Sequence, residues 1–461
     1  MNKLQPTLTR KADRLRKFMG SRRARQLVLA LFVAQCLVLV FSVRFGTPPD
    51  ENNHIDFITF YANHSLSPWF SHQKPTSHLG DKTREVDYLY HYSMSLVYRV
   101  TPLSAHNKFY LIRLFSVGFG LLALLILIKI CRRMNLPDSV TNTGLLALTN
   151  LPMVLFMCAA VNNDVLVWVG IFLGILLLMR LWEKPTTADL LWLLDVAVLG
   201  GLVKRDLLPM GVLFVVLAIV IFFKQPTSLL KGLRKIGNGV AIAAIVLIVG
   251  LGLFAERVGG NIIRYHAVIP SCEQVQGVKP CYNFWSSARA RSLARQPKKP
   301  LMPLPTFVAR WYWNSVTNIV DIQAQFWRHA VRPAPWLTPM LSAVFLSATG
   351  AGLVYDASRW RRDHSAHLRL YVAAIALYYM ASQMLVNLGN YMHYRVFGIA
   401  LNGRYVIPSV LILGLLDGYY IYKLLSGRKL LMPVAAIILV LAIILGSGLL
   451  MMLRNTQLYT G

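Results

Sequence analysis

The sequence predicts an all-α integral membrane protein of about eleven transmembrane helices, within a range of ten to twelve. Three observations predict it. Hydrophobic residues make up 56% of the 461 positions and charged residues only 15%, whereas soluble domains carry about 25% charged residues. Mean hydropathy is +0.50. The apolar residues are gathered in runs of spanning length, with Lys and Arg in short clusters between them. An ordinary soluble enzyme, a disordered chain and a disulfide-stapled secreted module are excluded. The net charge of +29, from 48 Lys+Arg against 19 Asp+Glu, would in a soluble chain point to nucleic acid. Here the basic residues flank apolar spans, as membrane-surface charge does, and no nucleic-acid partner is expected.

The elements follow in order. Residues 1–25 form a basic tail with Lys3, Arg10, Lys11, Arg14, Arg16, Lys17, Arg22, Arg23 and Arg25. Residues 26–461 read as a single transmembrane domain. The first apolar run, 26–44, meets Arg44 and then Pro48-Pro49-Asp50. It lacks a small-residue cleavage site, so it reads as a retained span with a cytoplasmic N-terminus. Further spans are expected at roughly 110–131, 140–159, 164–182, 188–203, 208–224, 238–256, 338–355, 369–388, 405–424 and 430–452. With the N-terminus inside, Lys129/Arg132/Arg133, Lys231/Arg234/Lys235, Arg359/Arg361/Arg362 and Arg428/Lys429 all fall on the cytoplasmic side, as the positive-inside rule asks. The expected location is a membrane crossed several times, with the N-terminus on the cytoplasmic side.

Two outer loops, 45–109 and 257–337, are too long to be simple connections. His54 to Tyr61 places Ile55, Phe57, Ile58, Phe60 and Tyr61 on one helical face, the pattern of a helix lying in the membrane interface. Tyr88, Tyr90, Tyr92 and Tyr98 mark a second such element, and Trp311, Trp313, Phe326, Trp327 and Trp336 an aromatic belt in the second loop. Plain anchoring at headgroup level accounts for most of these aromatics. Cys36, Cys131 and Cys158 fall in or beside spans and read as apolar packers. Cys272 and Cys281 share the second outer loop, where an oxidising compartment favours a disulfide.

Ionisable residues at the outer span ends carry the chemistry. Pro48-Pro49-Asp50-Glu51-Asn52-Asn53-His54 follows the first span. Adjacent carboxylates there read either as a solvated loop start or as a desolvated pair offset by a cation, metal or substrate hydroxyl. A carboxylate so placed is able to act as general base on a hydroxyl. Asn162-Asn163-Asp164 opens the fourth span, as a helix cap or as part of a site. Lys204-Arg205-Asp206 and Asn402-Gly403-Arg404-Tyr405 put cations on the outer side, against the positive-inside bias. Lipid headgroups, or a lipid phosphate held in a pocket, would retain them. Asp195 and Asp417 lie within spans, where carboxylates are costly and usually functional.

These segments resemble the GT-C-fold membrane glycosyltransferases, in particular the bacterial DUF2142 group, and more distantly the protein O-mannosyltransferase and lipid A aminoarabinose transferase families. The matching pieces are Pro48-Pro49-Asp50-Glu51 with His54, Ile112-Arg113-Leu114-Phe115-Ser116, Asn162-Asn163-Asp164, Gly201-Leu202-Val203-Lys204 and Gly403-Arg404-Tyr405-Val406-Ile407-Pro408. The chain departs from the pattern at Asp87-Tyr88-Leu89-Tyr90-His91-Tyr92, where relatives often have a His-Pro-Pro segment, and at Asn402, where they often have Gln. The resemblance implies a glycosyltransferase that moves a sugar from a polyprenyl-phosphate donor to a hydroxyl of a glycan, lipid or protein on the outer face, with inversion. It implies Asp50 and Glu51 as the catalytic residues, Asp50 as general base and Glu51 lining the site beside it. His54, Asn163 and Asp164 would line the acceptor side. Arg404, Lys204, Arg205, Tyr405 and Arg113 would hold the donor phosphate. Many relatives bind a divalent metal and some do not; if present here it would fall to Asp50 and Glu51. A lipid-linked glycan polymerase or ligase, and a transporter or flippase using Asp195 and Asp417, are the alternative readings.

Overall fold

The structure, a computed structural model, describes residues 13–48, 50–64, 84, 86–224, 226, 237–282, 285–297, 299–320, 337–397 and 402–426. Among these there are helices and no strand. The principal elements are α1 (Arg22–Ser42), α2 (Glu51–His64), α3 (Leu89–Val100), α4 (Ala105–Arg133), α5 (Asp138–Leu148), α6 (Pro152–Cys158), α7 (Asp164–Glu183), α8 (Thr187–Val203), α9 (Leu208–Lys224), α10 (Asn238–Phe254), α11 (Leu304–Val320), α12 (Leu337–Ser358), α13 (His364–Tyr394) and α14 (Ile407–Leu425). Eight helices among the described residues are long and apolar enough to cross a membrane, and α5 with α6 makes a further bent one. This is a multi-pass membrane protein.

Of the expected spans, 140–159 differs most from a straight rod. It breaks by 79° between α5 and α6. Pro152 stands at the start of α6, has no N–H to donate and disfavours helix at the residue before it. The expected 188–203 span is α8, of 17 residues. The expected 430–452 span lies outside the described residues.

Burial separates the inner helices from the lipid-facing ones. α7 is apolar on every side and buried on every side, with Val165, Phe172, Ile175 and Leu178 all in the core. A helix of that composition needs protein or lipid all round it, and here α4, α8 and α9 surround it. α10 is as apolar, yet leaves Ile245 and Ile248 exposed, the composition of a face turned to acyl chains.

The two ends of the bundle differ in character. At one end Arg25 pairs with Asp138 at 2.5 Å and Arg133 pairs with Glu183. Arg369 there grips Asp356 through two hydrogen bonds of 2.8 and 2.7 Å. This end carries Lys129/Arg132/Arg133 and Arg359/Arg361/Arg362, two of the basic clusters that the sequence places inside; the other two lie outside the described residues. The other end receives the C-terminus of α1, the start of α2, the α6–α7 and α8–α9 junctions, and the start of α14.

Both outer loops carry the helices expected of them. α2 turns Phe57, Ile58, Phe60 and Tyr61 into protein rather than lipid; Ile58 joins the main core and the others pack with Tyr88 and Leu202. Tyr88 and Tyr90 are buried too, as is Trp311 on α11, while Trp313 is exposed. Anchoring at headgroup level therefore suits Trp313 better than its neighbours. Phe326, Trp327 and Trp336 lie outside the described residues. Arg84 clasps one loop to the other, donating to Asn261 at 2.9 Å and to Glu256 at 2.8 Å. Cys272 and Cys281 are disulfide-linked, with Cα atoms 5.8 Å apart. Cys36, Cys131 and Cys158 are buried free thiols.

Candidate active site

The chain leaves α1 through a turn at Gly46, whose φ of +79° suits glycine. Asp50 follows in the left-handed region, at φ +57°, and α2 begins at Glu51. That backbone sends two adjacent carboxylates in different directions. Glu51 is fully buried and Asp50 has a side chain 49% exposed.

Glu51 is a structural hub. Its Oε1 accepts from Arg113 Nε at 2.8 Å and from the Val161 amide at 2.9 Å. Its Oε2 accepts from Arg113 Nη2 at 2.7 Å and from the Gly46 amide at 2.9 Å. Arg113, equally buried, spends its remaining N–H groups on the carbonyls of Val40, Val43 and Arg44. A guanidinium has five N–H donors, so none of Arg113 is left for a phosphate. The pair instead ties α1, α2, α4 and the α6–α7 junction together.

Asp50 meets a different cation. Arg404 donates from Nη2 to the Asp50 carboxylate and to the Tyr405 hydroxyl at 2.9 Å. Its Nε lies 3.5 Å from Asp164 Oδ2. The Arg404 side chain is only 5% exposed, so Asp50 reaches from the surface to a buried charge. Gly403 permits this placement. The turn Gly403–Val406 lies against α11 so closely that a Cβ on Gly403 would sit 2.4 Å from the Ser315 carbonyl oxygen. Asn402 fixes the turn by accepting from the Arg404 amide at 3.1 Å.

Lys204 completes the cluster from the α8–α9 junction. It donates to Asp164, lies 3.6 Å from Asp206 and stands 4.6 Å from the centre of the Tyr405 ring. The three residues that open α7 divide the work. Asn162 caps the helix, accepting from the Asp164 amide at 2.9 Å. Asn163 donates to the Val203 carbonyl at 3.0 Å, holding the α8 end in place. Asp164 is buried between the two cations. Arg205 is exposed on the turn beyond Lys204.

His54 lies one helical turn beyond Asp50, whose carbonyl accepts the His54 amide at 3.0 Å. Its Nδ1 is 2.8 Å from Nε2 of His91, the rings stacked with centroids 5.1 Å apart. That contact holds one proton, so the two imidazoles are not both charged. Burial first, then His91, pushes the His54 pKa well below its ordinary value, and Asp164 offsets this only in part.

Six residues singled out from sequence thus share one place: Asp50, His54, Asp164, Lys204, Arg404 and Tyr405. Glu51 and Arg113 adjoin it but are fully engaged with each other and with backbone. His91 and Asp206 are the members that sequence reasoning missed; both stand inside segments it had already marked. A divalent ion on Asp50 and Glu51 would have to displace Arg404 from one and Arg113 from the other, so these two residues do not fit one. Among the described residues no group of three His, Cys, Asp or Glu is arranged to hold a metal.

No family model matches the sequence, and no curated protein matches it. Among solved structures, the chain is similar to the Archaeoglobus fulgidus oligosaccharyltransferase tethered with an acceptor peptide containing the NVT sequon, at 14% identity and a TM-score of 0.45. It is similar also to the archaeal oligosaccharyltransferase AglB from the same organism in complex with an inhibitory peptide and a dolichol-phosphate, at 12% identity and a TM-score of 0.44. Each comparison covers 95% of this chain, but only 55% and 56% of the other. The chain thus spans about half the length of those proteins, and a likeness at this level says nothing of substrate or chemistry.

Proposed function

We propose that the protein is a GT-C-type membrane glycosyltransferase that transfers a sugar from a polyprenyl-phosphate donor to a hydroxyl acceptor on the outer membrane face. The observation that carries the reading is the pairing of a half-exposed carboxylate, Asp50, with buried Arg404, next to buried Lys204, which Asp164 links to Arg404, at one end of a membrane bundle. An inverting transfer needs those two elements side by side. Asp50 takes the proton of the acceptor hydroxyl, and the oxygen forms a bond to the anomeric carbon. The bond from that carbon to the phosphate oxygen breaks on the opposite face, and its electron pair leaves with the polyprenyl phosphate. Fixed cations stabilise the charge that develops there without reorganising. Arg404 and Lys204 serve that role, with Tyr405 orienting both. Arg205 stands exposed at the rim, on the side of the outer part of a headgroup. His54 and Asn163 form the wall beside the acceptor, and Asp164 holds the two cations in register. The basic end of the bundle faces the cytoplasm of a bacterial inner membrane, and the tail 1–25 lies on that side.

The test is transfer of radiolabelled sugar by the purified protein from a polyprenyl-phosphate donor. A general base contributes about 10²–10⁴ in rate, so Asp50→Asn should lower turnover by that order while leaving the protein folded. A variant with full turnover would remove Asp50 from the chemistry. A transport reading rests on Asp195 in α8, whose two carboxylate oxygens are buried with no hydrogen-bond partner among the described residues. Absence of transfer, with Asp195-dependent passage of the labelled lipid across vesicles, would favour it.

A further inference from the structure

Arg404 is already occupied by an anion. Its Nη2 is bonded to the carboxylate of Asp50, and its Nε faces Asp164 at 3.5 Å. The two anions differ in freedom. The Asp164 side chain is 5% exposed and is also bonded to Lys204, so it is held from both sides. The Asp50 side chain is 49% exposed and sits on a left-handed residue at the very start of α2. Of these two carboxylates on Arg404, Asp50 is the one that solvent reaches.

From this we infer that Asp50 stands in for the donor phosphate: in the donor-free protein it occupies the Arg404 Nη2 position, and the arriving phosphate displaces it. Two consequences follow from the shared site. Asp50 and a phosphate oxygen cannot both hold the same N–H, so phosphate binding releases the carboxylate. A carboxylate paired with a guanidinium is a poor proton acceptor, because the pairing stabilises its charged form. The base is therefore restrained until the donor is seated, and acceptor deprotonation follows donor binding. His54 steadies the exchange. Its amide is bonded to the Asp50 carbonyl, and its ring rests on His91, so the backbone at Asp50 stays fixed while the side chain swings.

The inference rests on the proposed phosphate role of Arg404, and its test separates the two. Equilibrium binding of a sugar-free polyprenyl phosphate would be measured for the full-length protein in detergent and for Asp50→Asn, Arg404→Ala and the double variant. Asn accepts the left-handed conformation readily, so Asp50→Asn keeps the backbone. Loss of the competing carboxylate should tighten binding by about tenfold, the low end for a hydrogen bond to a charged group. Arg404→Ala should weaken binding, and adding Asp50→Asn to it should change nothing further. Tightening of equal size in both backgrounds would show general repulsion between carboxylate and phosphate, and would overturn the exchange. So would an unchanged or weaker affinity in Asp50→Asn while Arg404→Ala loses binding. Unchanged affinity in folded Arg404→Ala would overturn the phosphate reading itself; should that variant not fold, Arg404→Lys takes its place.

Discussion

Glu51→Gln separates structure from chemistry at the start of α2. Glu51 accepts four hydrogen bonds, two from Arg113 and one each from the amides of Gly46 and Val161. A carboxamide offers one acceptor oxygen and one donor nitrogen. Whichever way it turns, its NH₂ faces two donors, one on Arg113 and one on a backbone amide. The Arg113 charge also stays behind, fully buried and without its counter-ion. Breaking a buried ion pair from one side costs about 3–5 kcal/mol. Whole domains are stable by about 5–15 kcal/mol, so the loss is a large fraction of the total.

The assay is thermal unfolding of the detergent-solubilised protein, followed beside turnover. Glu51→Gln should unfold at a clearly lower temperature, with turnover lost in step with folded protein. Asp50→Asn should unfold near the wild-type temperature. The double variant Glu51→Gln, Arg113→Met removes the stranded cation and should recover part of the loss. A Glu51→Gln protein with wild-type stability and no turnover would refute the reasoning, and would place Glu51 in the chemistry as the family resemblance first implied.

Arg404→Lys should weaken donor binding about ten- to hundredfold, because an ammonium cannot reproduce the planar fork; isothermal titration with the donor checks it, and unchanged affinity would shift the role to Lys204. Peptide mapping without reductant should recover Cys272 joined to Cys281, and two freely alkylated thiols would contradict the bond. The His54 pKa is lowered in the folded protein from its ordinary 6.5 by burial and by His91, with Arg404 and Lys204 acting the same way and Asp164 opposing. A depressed pKa stabilises the fold above the unfolded value and loses that contribution as pH falls below it. Stability should therefore decline as pH drops from about 6.5, and His54→Gln should flatten that slope in thermal unfolding across pH; an identical slope would place its cause elsewhere.

Much of the fold is legible in the sequence because lipid imposes a simple rule: spans must be long and apolar. That rule locates α1, α4, α7, α9, α10, α12, α13 and α14. It does not see the break at Pro152, which keeps hydropathy high while bending the chain by 79°. The site is legible in a similar way. Charge at an outer span end is costly, so Asp50, Asp164, Lys204 and Arg404 stand out, and the family resemblance groups them. The partners are not legible. Glu51 and Arg113 are separated by 62 positions, and nothing local says that Arg113 belongs to a carboxylate rather than a phosphate. His91 lay within the segment that departs from the family pattern. Its pairing with His54 depends on how α3 packs against α2, which no spacing within either helix reveals.

Two adjacent carboxylates with different fates need a physical cause, and the backbone supplies it. Had Asp50 continued the helix, its side chain would stand about 100° around the axis from Glu51, on the same buried end. Repulsion between them would then raise one pKa or expel one group. The left-handed residue avoids this. A non-glycine residue in that conformation costs about 1–2 kcal/mol, and two attachments offset the cost: Glu51 on Arg113 anchors the chain after it, and Gly46 bonded to Glu51 anchors the chain before it. Asp50 is thus the exposed corner of a turn whose two sides are fastened to the same buried carboxylate. Strained residues persist where the surroundings over-determine them. Glu51, which the resemblance offers as a second catalytic residue, is better understood as the group that fastens the turn carrying Asp50.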